Sequence, residues 1–251
     1  MNRIFLPAIL LSLLPTTIFS QDNESVIAQS LVLSLEDAVK PGMIEQYTQI
    51  MKQWIEQLKN DDVKATFNSF LETNCVVNYL EPINNLNDVD KRVLDKILKS
   101  FAHTELGQKR NLTIRWSKYS VWNNSNQLSY KPIHPDISPN EMPYFAWKHI
   151  KLYTDKEDIF LELARKFKEV FTRHNIGRGY GVFCNIIGYE NPWYTIVFSG
   201  KDPGELYLWQ KEMEQELGPE LKLVLNQLYG ITEQIIDGNG WVLHELSYEN
   251  R

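Results

Sequence analysis

The chain has 251 residues, 43% hydrophobic, 12% aromatic and 23% charged, a profile that excludes a disordered tail, a collagen-like repeat and a coiled coil. Its 32 acidic and 26 basic side chains leave a formal charge of -6, which repels phosphate backbones and anionic headgroups, so nucleic acid is not an expected partner. Two cysteines, Cys75 and Cys184, are too few for a disulfide-stapled scaffold, so an apolar core must hold the fold; the sequence leaves their pairing open.

The chain opens with Arg3, an apolar run from Ile4 to Leu14 and a small residue, Ser20, before the polar Gln21-Asp22-Asn23-Glu24. That order predicts a signal peptide over residues 1–20, cleaved near Ser20, and export to a periplasm or beyond the cell. Stable membrane insertion is not expected, because Pro7 and Pro15 interrupt a run that falls short of the about 20 apolar residues a bilayer requires.

Alternation and helical spacing then predict a strand over residues 31–35, a helix over 41–59, strands over 65–71 and 76–80, a helix over 88–101 and a strand over 117–122. A stretch holding Pro132, Pro135, Pro139 and Pro143 follows, which suits an extended linker over residues 131–144. Beyond it the order returns: strand 147–153, helix 156–174, strands 181–187 and 193–198, helices 205–217 and 220–236, strand 241–247.

The recurrence extends to individual positions. The apolar stripe Ile44, Tyr47, Met51, Trp54, Ile55 reappears 116 positions later as Phe160, Leu163, Phe167, Val170, Phe171, and the tripeptide Leu128-Ser129-Tyr130 reappears 118 positions later as Leu246-Ser247-Tyr248. Between them the strand-like runs opening at Val76 and Trp193 lie 117 apart, so the offset drifts by single residues, as small loop insertions would leave it. The expected fold class is therefore α+β: two tandem ferredoxin-like βαββαβ units, residues 30–130 and 145–249, packing sheet to sheet as an intramolecular α/β barrel.

This element order, its duplication and the repeated Leu-Ser-Tyr resemble the dimeric α/β-barrel superfamily, which includes antibiotic-biosynthesis monooxygenase-like, NIPSNAP-like and stress-responsive barrel proteins. The resemblance covers most of residues 30–249. It implies a barrel, existing as monomer or homodimer, but leaves function open, since its members include oxygenases, haem-degrading enzymes and ligand binders. A haem-binding member would use a histidine as axial ligand, for which His149, His174 and His244 are the candidates.

Chemistry concentrates in the second unit. Along Trp147-Lys148-His149-Ile150-Lys151-Leu152-Tyr153, alternation puts Trp147, His149, Lys151 and Tyr153 on one face, and Trp193 with Tyr194 adds ring surface on another strand. His149, Tyr153, Trp193 and Tyr194 are thus the candidate ligand-binding residues, with packing of a barrel interface as the alternative role. The first unit has Leu31-Val32-Leu33-Ser34-Leu35 and Val76-Val77 at the matching strands, which places the expected site in the second unit. Asn175-Ile176-Gly177-Arg178-Gly179-Tyr180-Gly181 follows a helix and precedes a strand, the reverse of a phosphate loop; it reads as a helix end and turn, with Arg178 a candidate ligand contact. No metal site is expected, as the five histidines lack ligand spacing, and no cofactor fingerprint is present. Two functional classes follow: a barrel that binds a small hydrophobic ligand or a protein partner without turnover, or a cofactor-independent monooxygenase-like enzyme acting on an aromatic substrate.

Overall fold

The computed structural model describes residues 30–86, 100–190 and 192–250. The expected signal peptide and residues 88–99 of the helix expected over 88–101 lie outside the described residues. Strands β1 (Ser30–Val39), β2 (Ala65–Glu72), β3 (Val76–Ile83) and β4 (Ile114–Asn124) belong to the first half, with helices α1 (Ile44–Asn60) and α2 (Glu105–Thr113). The second half contains β5 (Tyr144–Leu152), α3 (Glu157–Arg173), β6 (Gly181–Ile187), β7 (Trp193–Gly200), α4 (Pro203–Gly230), β8 (Thr232–Val242) and a short β9 (Tyr248–Asn250). No helix among the described residues is long and apolar enough to cross a membrane.

Within the first half the strand order is β4-β1-β3-β2, and within the second it is β8-β5-β7-β6, all antiparallel. Each is the ferredoxin-like arrangement, in which the first and third strands lie centrally. The edges then join: β4 pairs with β6, and β2 pairs with β8. Eight strands close into a barrel that leaves none of them with a bare edge. The helices lie outside, α1 and α2 on the first half's strands and α3 and α4 on the second's.

Local chemistry explains the helices. In α1 the buried residues are Tyr47, Ile50, Met51, Trp54, Ile55 and Leu58, and in α3 they are Phe160, Leu163, Ala164, Val170 and Phe171, each set a single stripe facing the sheet. Asp202 caps α4 by accepting the amide of Glu205 at 2.9 Å, and Pro203 sits where a missing N–H is harmless. Gly218, with φ 47°, kinks α4 just before Pro219, at the break expected between two helices.

The structure departs from the sequence reading, or adds to it, in three places. The last helix ends at Gly230 rather than 236, and the strand expected over 241–247 runs instead from Thr232 to Val242. The helical spacing of Leu221, Val224, Leu228 and Ile231 runs on toward Ile235 and hides the stop, but Thr232, Ile235 and Ile236 prefer extended backbone, and pairing with β5 decides the matter. Neither Leu-Ser-Tyr ends a strand: the first lies in the turn after β4, and in the second Leu246 closes a single helical turn before Tyr248 opens β9. Finally, α2 was not visible in the sequence, because its buried residues are Gly107, Arg110 and Thr113, which form no apolar stripe.

The two halves match in register. β1 shifts register against β4 between Ala38 and Val39, and β5 shifts against β8 between Lys151 and Leu152. Asp37 pairs with Val77 and Ser117, as Ile150 pairs with Tyr194 and Ile235. Cys75 and Cys184 are unpaired, each packed against the core of a different half.

Candidate functional site

Because successive strand residues point to opposite sides, each strand gives one row to the helices and one to the barrel lumen. β1 sends Leu35, Asp37 and Val39 toward α1 and Ser34 and Glu36 inward; β4 sends Lys118, Ser120 and Trp122 inward. β5 contributes Phe145, Trp147, His149 and Lys151, and β7 contributes Trp193 and Thr195. The lumen is therefore lined by polar and aromatic groups from both halves.

Its centre is a connected cluster. His149 Nδ1 lies 2.7 Å from Thr195 Oγ1. The His149 ring is 6.0 Å from Trp122 and 6.2 Å from Trp147, and Trp122 Nε1 donates to Ser120 Oγ at 2.8 Å. Trp147 lies against Gly238, where a Cβ would come within 2.2 Å of the indole nitrogen. Tyr189, in the turn between β6 and β7, donates from its hydroxyl to Glu36 Oε1 at 3.0 Å. Glu72 accepts from Asn78 Nδ2 at 2.7 Å on the same wall.

Burial sets the protonation of this cluster. It pushes the pKa of His149 down to about 4, helped by the Lys118 ammonium, so the imidazole is neutral at pH 7. Burial raises Glu36 and Glu72 above the usual carboxylate range, against the hydrogen bonds from Tyr189 and Asn78, and for Glu72 the charge of Glu36 adds to the rise. Burial also lowers the pKa of Lys118 against the pull of Glu36.

Of the four residues proposed from sequence, the structure brings two into the lumen. His149 and Trp193 line it, linked through Trp122 and Tyr189. Tyr194 faces the other way, its ring 4.1 Å from Phe160 and its hydroxyl donating to Glu157 at 2.6 Å. Tyr153 lies past the end of β5 and is 49% exposed. Arg178 is buried in an ion pair with Glu205 and stacked on Trp209, which gives it a packing role. Glu36, Lys118, Trp122 and Tyr189 were missed; only the pairing of β1 with β4 and of β4 with β6 joins them to His149.

A second buried polar cluster lies outside the barrel wall of the first half. Asp37, fully buried, accepts from Arg110 Nε at 3.0 Å, Tyr47 at 2.6 Å and Ser117 at 2.5 Å, and Tyr47 lies 2.8 Å from the Tyr79 hydroxyl. The corresponding positions of the second half are Ile150, Leu163, Ile196, Leu228 and Ile235, all apolar. Every member of the first-half cluster is hydrogen-bonded within it, so it is a closed structural network.

The three candidate axial histidines lie in three separate places. His149 is enclosed by Trp122, Trp147 and Thr195, His174 sits at the end of α3 beside Glu220, and His244 lies in an exposed turn. Two open grooves of about 270 and 390 Å³ on the helical side of the second half are lined by none of them. Among the described residues, no three of His, Cys, Asp and Glu converge as a metal site would require.

No protein-family model matches this chain, and no curated relative matches it. Solved structures do. A "putative monooxygenase" from Lactobacillus acidophilus NCFM aligns with a TM-score of 0.54 at 8% identity, over 85% of this chain and 94% of its own. An anthrone oxidase-like protein aligns at 0.57 and 12% identity, over 86% and 92%. A mutant chlorite dismutase from Candidatus Nitrospira defluvii aligns at 0.52 and 13% identity, over 90% and 97%. At these identities the likeness is one of fold, and it places the chain among α/β barrels.

Proposed function

We propose that this chain is an exported α/β-barrel protein that binds a small aromatic molecule in its lumen without turning it over. The observation that carries this reading is His149: a neutral imidazole beside two indole rings, with Nδ1 on Thr195 and its ring part of the polar and aromatic lining of the lumen. Aromatic walls with a few placed polar groups are the usual composition of a small-molecule site. A general base works best with a pKa near the working pH, and an imidazole held near 4 is a poor proton acceptor, which favours binding over catalysis.

A cofactor-independent oxygenase is the second reading, favoured by Glu36. Its raised pKa matches proton abstraction better, and two of the structural neighbours bear monooxygenase and oxidase-like descriptions. In that case Glu36 removes the proton of an acidic aromatic substrate and dioxygen is the oxidant.

Export rests on residues 1–20. Tandem duplication of one βαββαβ unit is proposed on the matched register shifts at Ala38 and Lys151, and a single chain closes the barrel whether the protein is a monomer or a homodimer. Native mass spectrometry of the protein purified from its exported fraction tests the main proposal. A retained aromatic compound, released by His149→Gln, is the expected result. A protein that carries no ligand and converts an anthrone-type substrate in the presence of dioxygen selects the second reading.

A further inference from the structure

Tyr189 is not part of the barrel wall. It belongs to the β6–β7 turn and enters the lumen because Gly188, with φ 108°, turns the chain where no side chain fits: a Cβ there would stand 2.6 Å from the Tyr119 carbonyl and 2.8 Å from the Ser120 Cβ. The Tyr189 amide is held by Asn185 Oδ1 at 3.2 Å, and Asn185 Nδ2 is fixed in turn by the carbonyls of Val121 and Ile187. The ring then lies 5.3 Å from Trp122 and 5.7 Å from Trp193, with Lys118 Nζ 2.9 Å from its centroid and its hydroxyl on both oxygens of Glu36, at 3.0 and 3.3 Å.

Those contacts are what recognition of a phenol requires: two indoles for the ring, an ammonium over its face and a desolvated carboxylate for its hydroxyl. We propose that the lumen ligand is a phenol and that it takes the position Tyr189 occupies, so that Tyr189 is a built-in competitor for the site. This rests on the lumen being the ligand site and adds the class of molecule. Glu36 is met by Ser120 and Lys118 of β4 and by Tyr189, and of these three only Tyr189 comes from a turn and not from the barrel wall. When Tyr189 leaves, Glu36 is left with an unfilled acceptor that a hydroxyl fills and a hydrocarbon does not.

The test is calorimetric titration of p-cresol, the side chain of tyrosine, and of toluene into the wild-type chain, Tyr189→Ala and Tyr189→Ala with Glu36→Gln. Tyr189→Ala is expected to bind p-cresol about tenfold or more tightly than wild type, and to prefer it over toluene by a similar factor, because a site built to hydrogen-bond a hydroxyl rejects the analogue lacking it. Glu36→Gln on that background is expected to reduce the preference, because the amide oxygen still accepts a hydroxyl but without the carboxylate charge. Equal p-cresol affinity of wild type and Tyr189→Ala, or no discrimination against toluene, overturns the proposal. If the alanine variant does not fold, Tyr189→Phe keeps the ring and releases only Glu36: a smaller gain in p-cresol affinity supports the proposal, and none overturns it. A native aromatic ligand released by His149→Gln, found together with equal p-cresol affinities, removes the phenol assignment alone. A p-cresol gain in a protein that retains no native ligand supports the phenol slot and removes the broader binding function.

Discussion

Ser129, in the first half of the chain, accepts the backbone N–H of Val182, in the second, at 2.8 Å. The relationship has a counterpart: Ser247 of the second half accepts the N–H of Ser69 in the first, at 3.0 Å. Around both serines the pattern repeats. Ser125 N–H donates to the Val182 carbonyl and Leu243 N–H to that of Ser69, both at 2.8 Å. Tyr130 donates to the Ile176 carbonyl at 2.9 Å and Tyr248 to that of Val63 at 2.7 Å. The repeated Leu-Ser-Tyr is thus a latch by which each half holds an edge strand of the other.

Removing either latch serine leaves a strand amide without its acceptor, which costs about 1–3 kcal/mol. Ser129→Ala and Ser247→Ala are therefore expected to lower the melting temperature by comparable amounts, roughly 2–4 °C per kcal/mol for a chain of this size. Thermal unfolding followed by circular dichroism checks this; a loss confined to one variant contradicts the equivalence of the two latches.

The Asp37–Arg110 pair is expected to behave as a buried ion pair. Breaking it with Arg110→Met leaves Asp37 charged and buried, a loss of about 3–5 kcal/mol. Replacing the whole network by its second-half counterparts, as Asp37→Ile, Tyr47→Leu, Tyr79→Ile, Arg110→Leu and Ser117→Ile together, is expected to recover most of that loss. Urea unfolding of both variants measures the difference.

His149 makes stability depend on pH with a definite sign. Its folded pKa of about 4 lies below the ordinary value of about 6.5, so between these limits the unfolded chain binds more protons, and its contribution to stability falls as pH drops. Above pH 6.5 the contribution is constant; the full loss by pH 4 is roughly 3 kcal/mol. Glu36 and Glu72, with raised pKa values, bind protons more readily when folded and give the opposite slope. Urea midpoints at pH 7 and pH 4.5 for wild type and His149→Gln isolate the histidine: the variant is expected to lose less stability over this interval.

Gly238→Ala places a methyl group where the Trp147 indole lies, 2.2–2.9 Å from its atoms. The expected result is displacement of Trp147 from its place beside His149, a cost of about 1–3 kcal/mol from overpacking, and a shifted tryptophan emission maximum. Unchanged emission and stability would mean that the indole packs elsewhere.

The alternation along β5 was legible, because period two is written into the sequence and it set Trp147, His149 and Lys151 on one face. Alternation also separates Trp193 from Tyr194; grouping them as one site overlooked that neighbours on a strand face opposite ways. Glu36 and Lys118 were not legible, since a glutamate in an apolar strand and a lysine in a mixed one carry no mark of being inside a barrel. Gly230, the end of α4, was visible as a residue but masked by an apolar stripe that ran past it.

The sequence by itself determined the strands of the first half, the first helix of each half and the apolar faces of those two helices, because periodicity and turn chemistry act over a few residues. Only the tertiary structure decided that the lumen cluster joins Glu36 and Lys118 to His149, and that each Leu-Ser-Tyr holds the opposite half. The physical reason is that β4·β6 and β2·β8 are pairings of strand edges remote in sequence. Backbone hydrogen bonds hold such pairs together, and every non-proline residue offers the same donor and acceptor for them; closure and packing of the whole barrel select which edges meet.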